Sequence, residues 1–509
     1  MTKTARDILS QLQQQGAKIG GLSADSRVLR TGDAFVAYPG ANTDRRHYIP
    51  DAIARGAAAV LWEREGFSWD GAWRVPNVAV AGLRALAGDI AHEVYGRPSE
   101  KMWLAGVTGT NGKTSCTQWI AQALGAVGRK TAVIGTLGSG FPAAPGGAPA
   151  ADFVPSVNTT PDAIELHHRL AAFLQMGAQG VAMEVSSIGL DQGRVNGVHF
   201  DVALLTNLSR DHLDYHGDME RYAAAKAQLF DLPGLQGAVL NMDDVLGVRI
   251  ARKLAGGKVA CAGYSAHAGV ASAADLPFFL EAENVRLTQQ GLAFSLSSSW
   301  GRAEVMSQLL GRFNVANLLG VLGVLLGAGV ALAPAVAALA ALTPPPGRMQ
   351  RLGGAGRPLA VVDYAHSPDA LEEVLICLRP LADAARGRLI CVFGCGGERD
   401  RGKRALMGAV AARHADQVLL TSDNPRGDEP LAIIADILEG SLGEARSGQA
   451  PLVIADRREA IMQAIGAAAA GDVVLIAGKG HEDYQESAGR RIPFSDAAVA
   501  AETLAAWAR

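Results

Sequence analysis

Short apolar runs, each ending in a glycine-rich or polar loop and followed by apolar residues at helical spacing, recur along most of this chain. Met102-Trp-Leu-Ala-Gly-Val107 reads as a buried strand, and the pattern from Thr114 to about Val127 as the helix behind it. The same alternation predicts strands at Lys130–Gly135, Gly180–Val185, Val202–Thr206 and Ala238–Leu240. Upstream, Asp33–Tyr38 and Ala57–Trp62 read as strands and Tyr48–Arg55 as a helix. Residues 278–310 instead alternate as antiparallel strands do. Four more apolar strands follow: Leu359–Val362, Arg388–Phe393, Gln417–Thr421 and Asp472–Ala477. Strands interleaved with helices imply a largely parallel sheet whose ligands collect at the carboxyl ends of the strands. The loops Asp363–His366, Gly394–Arg404, Ser422–Arg426 and Gly478–Glu482 are therefore predicted to share one rim.

One stretch breaks the pattern. No charged residue lies between Arg312 and Arg348, and Leu318–Leu342 is almost wholly apolar, long enough for a membrane span. Gly327-Ala-Gly329 and Pro334 interrupt it. Proline inside a continuous helix costs about 3 kcal/mol but is favourable in a first turn. Two short buried helices joined by a turn are the better reading, with no membrane insertion. The change of texture near Pro98 and the stiff Thr343-Pro-Pro-Pro-Gly347 divide the chain into 1–100, 101–343 and 344–509. Three α/β domains also suit its length at about 150 residues per domain.

Composition narrows the classes. With 49% hydrophobic and 19% charged residues the chain can bury sizeable cores and is not intrinsically disordered. Lys+Arg 47 against Asp+Glu 50 gives no global pull toward nucleic acid or an anionic membrane, so local clusters must hold any anionic ligand. The cysteines (Cys116, Cys261, Cys377, Cys391, Cys395) are scattered and odd in number, which fits reduced thiols in a cytoplasm. No apolar run follows the charged N-terminal residues, so no secretory signal is read there.

Gly109-Thr-Asn-Gly-Lys-Thr114 joins a strand to a helix. Backbone N–H groups of such a loop cradle phosphate oxygens, with Lys113 reaching the β/γ-phosphates and Thr114 helping to hold Mg²⁺. The general pattern wants glycine where Val107 stands, so the match is to a shorter variant. The bland alternative is a tight turn with a surface lysine. No Asn-Lys-x-Asp guanine reader occurs, which favours ATP over GTP. Glu184 at a strand end and His212 after another suit Mg²⁺ beside phosphates, though each alone could be an ordinary polar loop residue. Lys226 by itself reads as a helix-surface lysine.

The loop resembles the ATP loop of the Mur ligase superfamily, which includes the muramyl peptide ligases and folylpolyglutamate synthase. Glu184-Val-Ser-Ser187, Asn207 with Asp211-His212, Phe313-Asn-Val-Ala-Asn317 and Asp363-Tyr-Ala-His366 follow in the family's order. The resemblance implies a small N-terminal α/β uridine-nucleotide module, a central P-loop ATPase with a mostly parallel sheet, and a C-terminal Rossmann-like domain. It implies ATP contacts at Gly109, Thr110, Asn111, Gly112, Lys113, Thr114 and Ser115, with Asn317 reading adenine and Arg348 and Asp363 meeting ATP at a hinge. It also implies two Mg²⁺ sites drawing on Thr114, Glu184, His212 and Lys226, the last as a carbamate, since an ammonium would repel the cation.

Within the superfamily the chain is most similar to the branch that joins meso-2,6-diaminopimelate to UDP-N-acetylmuramoyl-L-alanyl-D-glutamate. Ser26, in Asp25-Ser-Arg27, matches a contact to the UDP part, and Ala41-Asn42-Thr43 replaces the common His-Gln-Ala. Asn158, Thr159, Thr160, Ser186, Gln192 and Arg194 match positions that hold the muramyl peptide, although Thr159 could equally cap a helix. Arg399, Asp423, Asn424, Pro425, Arg426, Gly478 and Glu482 match the diaminopimelate pocket. A guanidinium suits the distal carboxylate, which lysine lacks, and Glu482 with the Gly478 carbonyl suits the distal ammonium. The resulting expectation is a monomeric cytoplasmic ligase working through an acyl phosphate, with domain closure before chemistry. The rivals are a lysine-adding muramyl ligase, folylpolyglutamate synthase and a P-loop switch that makes no product.

Overall fold

Gly21–Ser23, Asp33–Ala37, Ala59–Glu63 and Asn77–Val80 pair in chain order as a parallel sheet of four strands. Successive side chains of a strand face opposite ways. Accordingly Ala34 and Val36 pack with Ile8, Leu83 and Ile90 of the helices Ala5–Gln14 and Leu83–Val94, while Phe35 and Ala37 pack with Ile49 and Ala52 of Ile49–Ala54. The computed structural model of the chain describes residues 4–40, 43–142, 153–156, 158–288, 291–442, 446 and 448–507.

A second sheet has ten strands. Its parallel centre runs Ala260–Ser265, Gly237–Asn241, Val202–Leu205, Trp103–Thr108, Gly180–Glu184, Thr131–Gly135. Phe278–Thr288 joins parallel to Ala260–Ser265, and Gly291–Ser298 and Gly301–Ser307 extend that edge antiparallel. The uncharged stretch forms two helices, Phe313–Gly327 and Leu332–Ala340, with Pro334 in the first turn of the second. Leu318, Val321, Leu322 and Leu325 pack against Leu204, Val239 and Leu280 of the sheet, which explains the missing charges. Among the described residues no helix is long and apolar enough to cross a membrane.

The third sheet is ordered Gln350–Gly353, Leu359–Asp363, Val473–Ala477, Leu389–Phe393, Gln417–Leu420, Leu452–Val453, parallel except for the first strand. Its sequence-predicted strands are present. The pattern does not reveal Gly21–Ser23, Asn77–Val80, Gly138–Gly140, Gln350–Gly353, Leu452–Val453 and the hairpin Tyr484–Ser487/Arg490–Pro493, which are short or polar, nor Ala260–Ser265, a longer and mostly buried strand rich in small residues.

Arg457, at the start of the helix Arg457–Gly466, ties the sheet's carboxyl edge together. Its guanidinium meets Asp496 through two 2.7 Å hydrogen bonds and donates to the Ala477 carbonyl at 2.9 Å, with both side chains 0% exposed. Ala477 ends one strand, and a longer 3.4 Å contact reaches the Ser422 carbonyl beyond another. Arg457→Ala strands the Asp496 charge and is expected to cost about 3–5 kcal/mol, read as an earlier urea transition, whereas replacing both partners with leucine costs far less.

Candidate active site

The phosphate-type loop is built by two close backbone approaches. Gly109 has φ +148°, and a Cβ there would lie 1.8 Å from Thr206 Oγ1; Gly112 has φ +84°, and its Cβ would lie 2.6 Å from Asn317 Oδ1. Only glycine satisfies both the backbone angle and the space. No side chain caps the following helix Lys113–Ala126, so its first-turn N–H groups, Ser115 included, face the loop. Lys113 Nζ donates to the carbonyls of Gly109 and Thr110, each at 2.8 Å. Asn111 N donates to Asn207 Oδ1 at 2.9 Å, joining the loop to the next strand's end.

Glu184 ends the strand Gly180–Glu184 at 1% exposure. It accepts from Thr114 Oγ1 (3.0 Å), Thr136 N (2.8 Å) and Thr136 Oγ1 (3.0 Å). Arg348 Nη2 donates to Thr114 Oγ1 at 3.1 Å, and the guanidinium lies 4.4 Å over the Tyr364 ring. Asp363 accepts from Met349 N at 2.7 Å and Ala365 N at 2.8 Å, fixing the segment that presents Arg348. Asn317, on the apolar helix, donates to Asn314 Oδ1 at 2.9 Å and leans on Gly112.

Lys226 is not a surface lysine. It is 1% exposed, its Nζ donates to the Gly109 carbonyl at 2.7 Å, and the Tyr222 ring lies 4.4 Å away. Helical spacing shows which face a residue takes, not that this face is covered. Burial, reinforced by the Lys113 cation, holds its pKa well below the usual lysine value. A neutral amine is the form that can attack carbon dioxide. His212 sits at φ +53° before the short helix Leu213–His216, with its ring against Tyr222. Burial and the two lysines lower its pKa, favouring the neutral ligand form, although Asp211 opposes them. Hydroxyl, carboxylate and imidazole around one phosphate-type loop fit a hard divalent cation; Lys226 joins them only once its nitrogen carries an anionic oxygen donor.

Thr160, Ser186, Gln192 and Arg194 form one network. Arg194 donates to the Thr160 carbonyl at 2.8 Å and to Gln192 Oε1 at 2.7 and 3.0 Å. Thr160 Oγ1 bonds the Glu184 carbonyl at 3.0 Å and Ser186 Oγ at 3.1 Å. Thr159 reaches Thr136 at 3.1 Å, and so the Glu184 cluster. Asn158 is exposed beside them. Ser26 lies apart, buried behind Asp25 in the N-terminal unit, and the Thr43 carbonyl accepts from Gly40 N at 2.8 Å. Ala41 and Asn42 lie outside the described residues.

The four C-terminal loops interlock: Gly478 N donates to the Asp363 carbonyl at 3.1 Å and Lys403 Nζ to the His366 carbonyl at 2.7 Å. Asn424 Nδ2 donates to Glu482 Oε2 at 2.7 Å, and Lys479 Nζ bridges Asn424 Oδ1 (3.0 Å) and Glu482 Oε2 (2.9 Å). A Cβ on Gly478 would lie 2.6 Å from Asp423 Oδ2, so that carboxylate closes on the Gly478 backbone. Arg426, at φ +51°, donates to the Gly397 carbonyl at 2.9 Å, and Gly397 N bonds the Asn424 carbonyl at 2.9 Å. A Cβ on Gly396 would lie 2.9 Å from Arg426 Nη1 and 3.6 Å from Arg399 Cγ, so both arginines flank one glycine. Pro425 sets the turn between Asn424 and Arg426, its carbonyl accepting from Asp428 N at 2.9 Å.

The chain matches the Mur ligase family, catalytic domain, over residues 18–95, the Mur ligase middle domain over 107–325 and the Mur ligase glutamate ligase domain over 347–480. It is 48% identical over 504 residues to a UDP-N-acetylmuramoyl-L-alanyl-D-glutamate–2,6-diaminopimelate ligase of Nitrosomonas europaea, covering 97% of this chain and 94% of that one. A Janthinobacterium protein of the same name is 49% identical, with 99% and 98% covered. The chain belongs to the Mur ligase family. A solved structure of a diaminopimelate ligase of that name superposes with TM-score 0.68 at 37% identity, over 96% of this chain and 95% of that one. The MurF ligase of Thermotoga maritima in complex with ADP shares the fold, with TM-score 0.61, 18% identity and 96% of each chain covered.

Pattern reading of this Mur ligase misses Lys479, which looks like one more loop lysine yet is fully buried between Asn424 and Glu482. It also misses Arg457, whose partner Asp496 stands 39 residues away. Cross-sheet partners leave no local signal.

Lys113→Ala is expected to abolish ADP formation in a coupled assay, since Lys226, which also donates to the Gly109 carbonyl, is buried behind the loop and cannot take its place. Burial, with Arg348 and Lys479 nearby, drives the His481 pKa from 6.5 to about 3. The unfolded chain therefore takes up a proton below about pH 6.5 that the folded chain refuses until about pH 3. This contribution to stability is full above the higher value and shrinks as the pH falls toward the lower. His481→Gln should flatten the drop in thermal midpoint across that window.

Proposed function

We propose that this chain is an ATP-dependent amide-forming ligase that adds meso-2,6-diaminopimelate to the D-glutamate γ-carboxylate of UDP-N-acetylmuramoyl-L-alanyl-D-glutamate, a step of peptidoglycan precursor synthesis. The observation that carries the substrate assignment is the pair Arg426 and Arg399 about Gly396, beside Asn424 and Glu482, in a chain so similar to ligases of that name. A guanidinium pair answers the carboxylate that distinguishes diaminopimelate from lysine, and burying that carboxylate unpaired would cost several kcal/mol.

The chemistry follows from the layout. The γ-carboxylate attacks the γ-phosphorus of ATP, giving an acyl phosphate and ADP. The diaminopimelate amine then attacks the acyl carbon, the C–N bond forms, phosphate leaves and the nitrogen loses its proton. The Gly109–Thr114 loop and Lys113 hold the transferring phosphates, Arg348 bridges to Thr114 from the C-terminal unit, and Asn317 takes the adenine side. Thr160, Ser186, Gln192 and Arg194 hold the muramyl peptide; Ser26 and the segment through Thr43 take the uridine part. Mg²⁺, which would be held by Thr114, Glu184, His212 and Lys226 as a carbamate, supplies charge neutralisation at the phosphates. Positioning and preorganised charge are the main resources for such a transfer.

In this reading residues 1–100 seat the nucleotide sugar, 101–343 the ATP and 344–509 the amino acid, in a cytoplasmic enzyme. Three units converging on one acyl centre support closure of the units before chemistry, and the central and C-terminal units already meet at Arg348–Thr114 and at Arg210 Nη2, 3.8 Å from Asp400 Oδ2.

Product mass decides the substrate: a diaminopimelate adduct is expected, and an equal yield with L-lysine overturns the assignment. Arg426→Ala should raise the KM for diaminopimelate about 100-fold or more while that for ATP stays nearly constant, because the site is built to pair the missing carboxylate.

A further inference from the structure

The amino edge of the central sheet, at the opposite end of the strands from the Gly109 loop, gathers a second set of ligand-type side chains. His92 comes from the helix Leu83–Val94, Glu100 from the turn Pro98–Glu100 just before the strand Trp103–Thr108, and His199 from just before Val202–Leu205. Those two strands are parallel neighbours, which brings Glu100 and His199 together. His92 Nε2 and His199 Nε2 stand 3.3 and 3.4 Å from the same oxygen, Glu100 Oε1. All three donor atoms lie within 4.8 Å of one another, and the two imidazole rings stack at 5.3 Å.

Hydrogen bonding alone accounts poorly for this arrangement. Glu100 Oε1 already takes Arg97 Nη2 at 2.5 Å, so two imidazole nitrogens crowd an oxygen that has a charged partner. The His92 side chain is 6% exposed and its Nδ1 has no hydrogen-bond partner, so the nitrogen facing Glu100 is its polar commitment. Zinc bonds of about 2.0–2.1 Å place the ligand atoms of a tetrahedron about 3.3–3.4 Å apart, and both nitrogen-to-oxygen spacings here match it, while the two nitrogens lie within 4.8 Å of each other. The donor set is that of an open zinc site, imidazoles plus one carboxylate with a position left for water. A cation can enter, because the His199 and Glu100 side chains are 44% and 29% exposed. Arg97 has somewhere else to go: Glu93 Oε1 lies 3.8 Å from its Nε.

The geometry points to a binding site for a Zn²⁺-class divalent cation held by His92, Glu100 and His199. A bound ion there ties the helix Leu83–Val94 of the N-terminal unit to the central sheet. It stands apart from the phosphate-type loop and from every residue assigned to the ligase reaction.

The test uses the full chain, stripped with a chelator and kept in excess MgCl₂, titrated with ZnCl₂ by calorimetry and checked for metal per chain by mass spectrometry. The wild type is expected to bind one more zinc equivalent than His199→Ala, or to lose about 100-fold or more in affinity on that change. Arg97→Ala, which removes the competing guanidinium, should tighten binding, a result that a purely structural ion-pair cluster does not give. Zinc should raise the thermal midpoint of the wild type and leave that of His199→Ala in place, with ligation at saturating substrates unchanged by the substitution. Glu100→Gln gives the same reading should His199→Ala fold poorly. Equal zinc uptake by wild type and both variants, or no tightening in Arg97→Ala, overturns the site.

Discussion

Glu184 stands at the end of a buried strand, and a carboxyl group taken from water costs free energy unless its oxygens find hydrogen-bond donors. Thr114 and Thr136 supply those donors here. That requirement organises the surroundings: Thr114 is pinned at the start of the helix Lys113–Ala126, Arg348 docks on the same hydroxyl from just before the third sheet, and Thr159 connects through Thr136 to the network around Arg194. One buried acid thus joins the Gly109–Thr114 loop, the network around Arg194 and the C-terminal unit. Removing it would leave three donors without their acceptor.

The parallel topology explains why so many polar groups arrive at the same edges. Every strand in the centre of the second sheet points its carboxyl end the same way, so Gly109, Glu184 and Thr206 face one side without any long excursion of the chain. The third sheet repeats the arrangement with Asp363, Asp423 and Gly478. Arg457 counters the tendency of such loops to splay by holding the Ala477 carbonyl with a guanidinium that Asp496 neutralises.

How much of this was legible in the sequence depended on range. The Gly109–Thr114 loop was legible because its spacing, its strand and its helix are contiguous. The uncharged helices were legible as a pair because Gly327, Gly329 and Pro334 mark the break. Glu184 and His212 read as ligand-type residues only through their order beside the loop. Lys226 was misjudged from local pattern, since its burial comes from Tyr222 and the Gly109 carbonyl, the latter 117 residues away. Lys479 and the His92–Glu100–His199 cluster gave no usable signal, because each is assembled by tertiary contacts between elements whose own periodicity says only which face is apolar.

The hairpin Tyr484–Ser487/Arg490–Pro493 looks like a peripheral flap, yet it is bonded to both sides of Arg426: Arg426 N donates to the Glu486 carbonyl at 3.0 Å and Ala488 N to the Arg426 carbonyl at 2.7 Å. A non-glycine residue at positive φ needs such outside bracing. The hairpin is therefore a splint: a residue gained or lost at its tip would disturb the backbone that carries a guanidinium some sixty positions earlier in the chain. Drift in this polar ribbon is constrained less by what its side chains touch than by the register of its backbone.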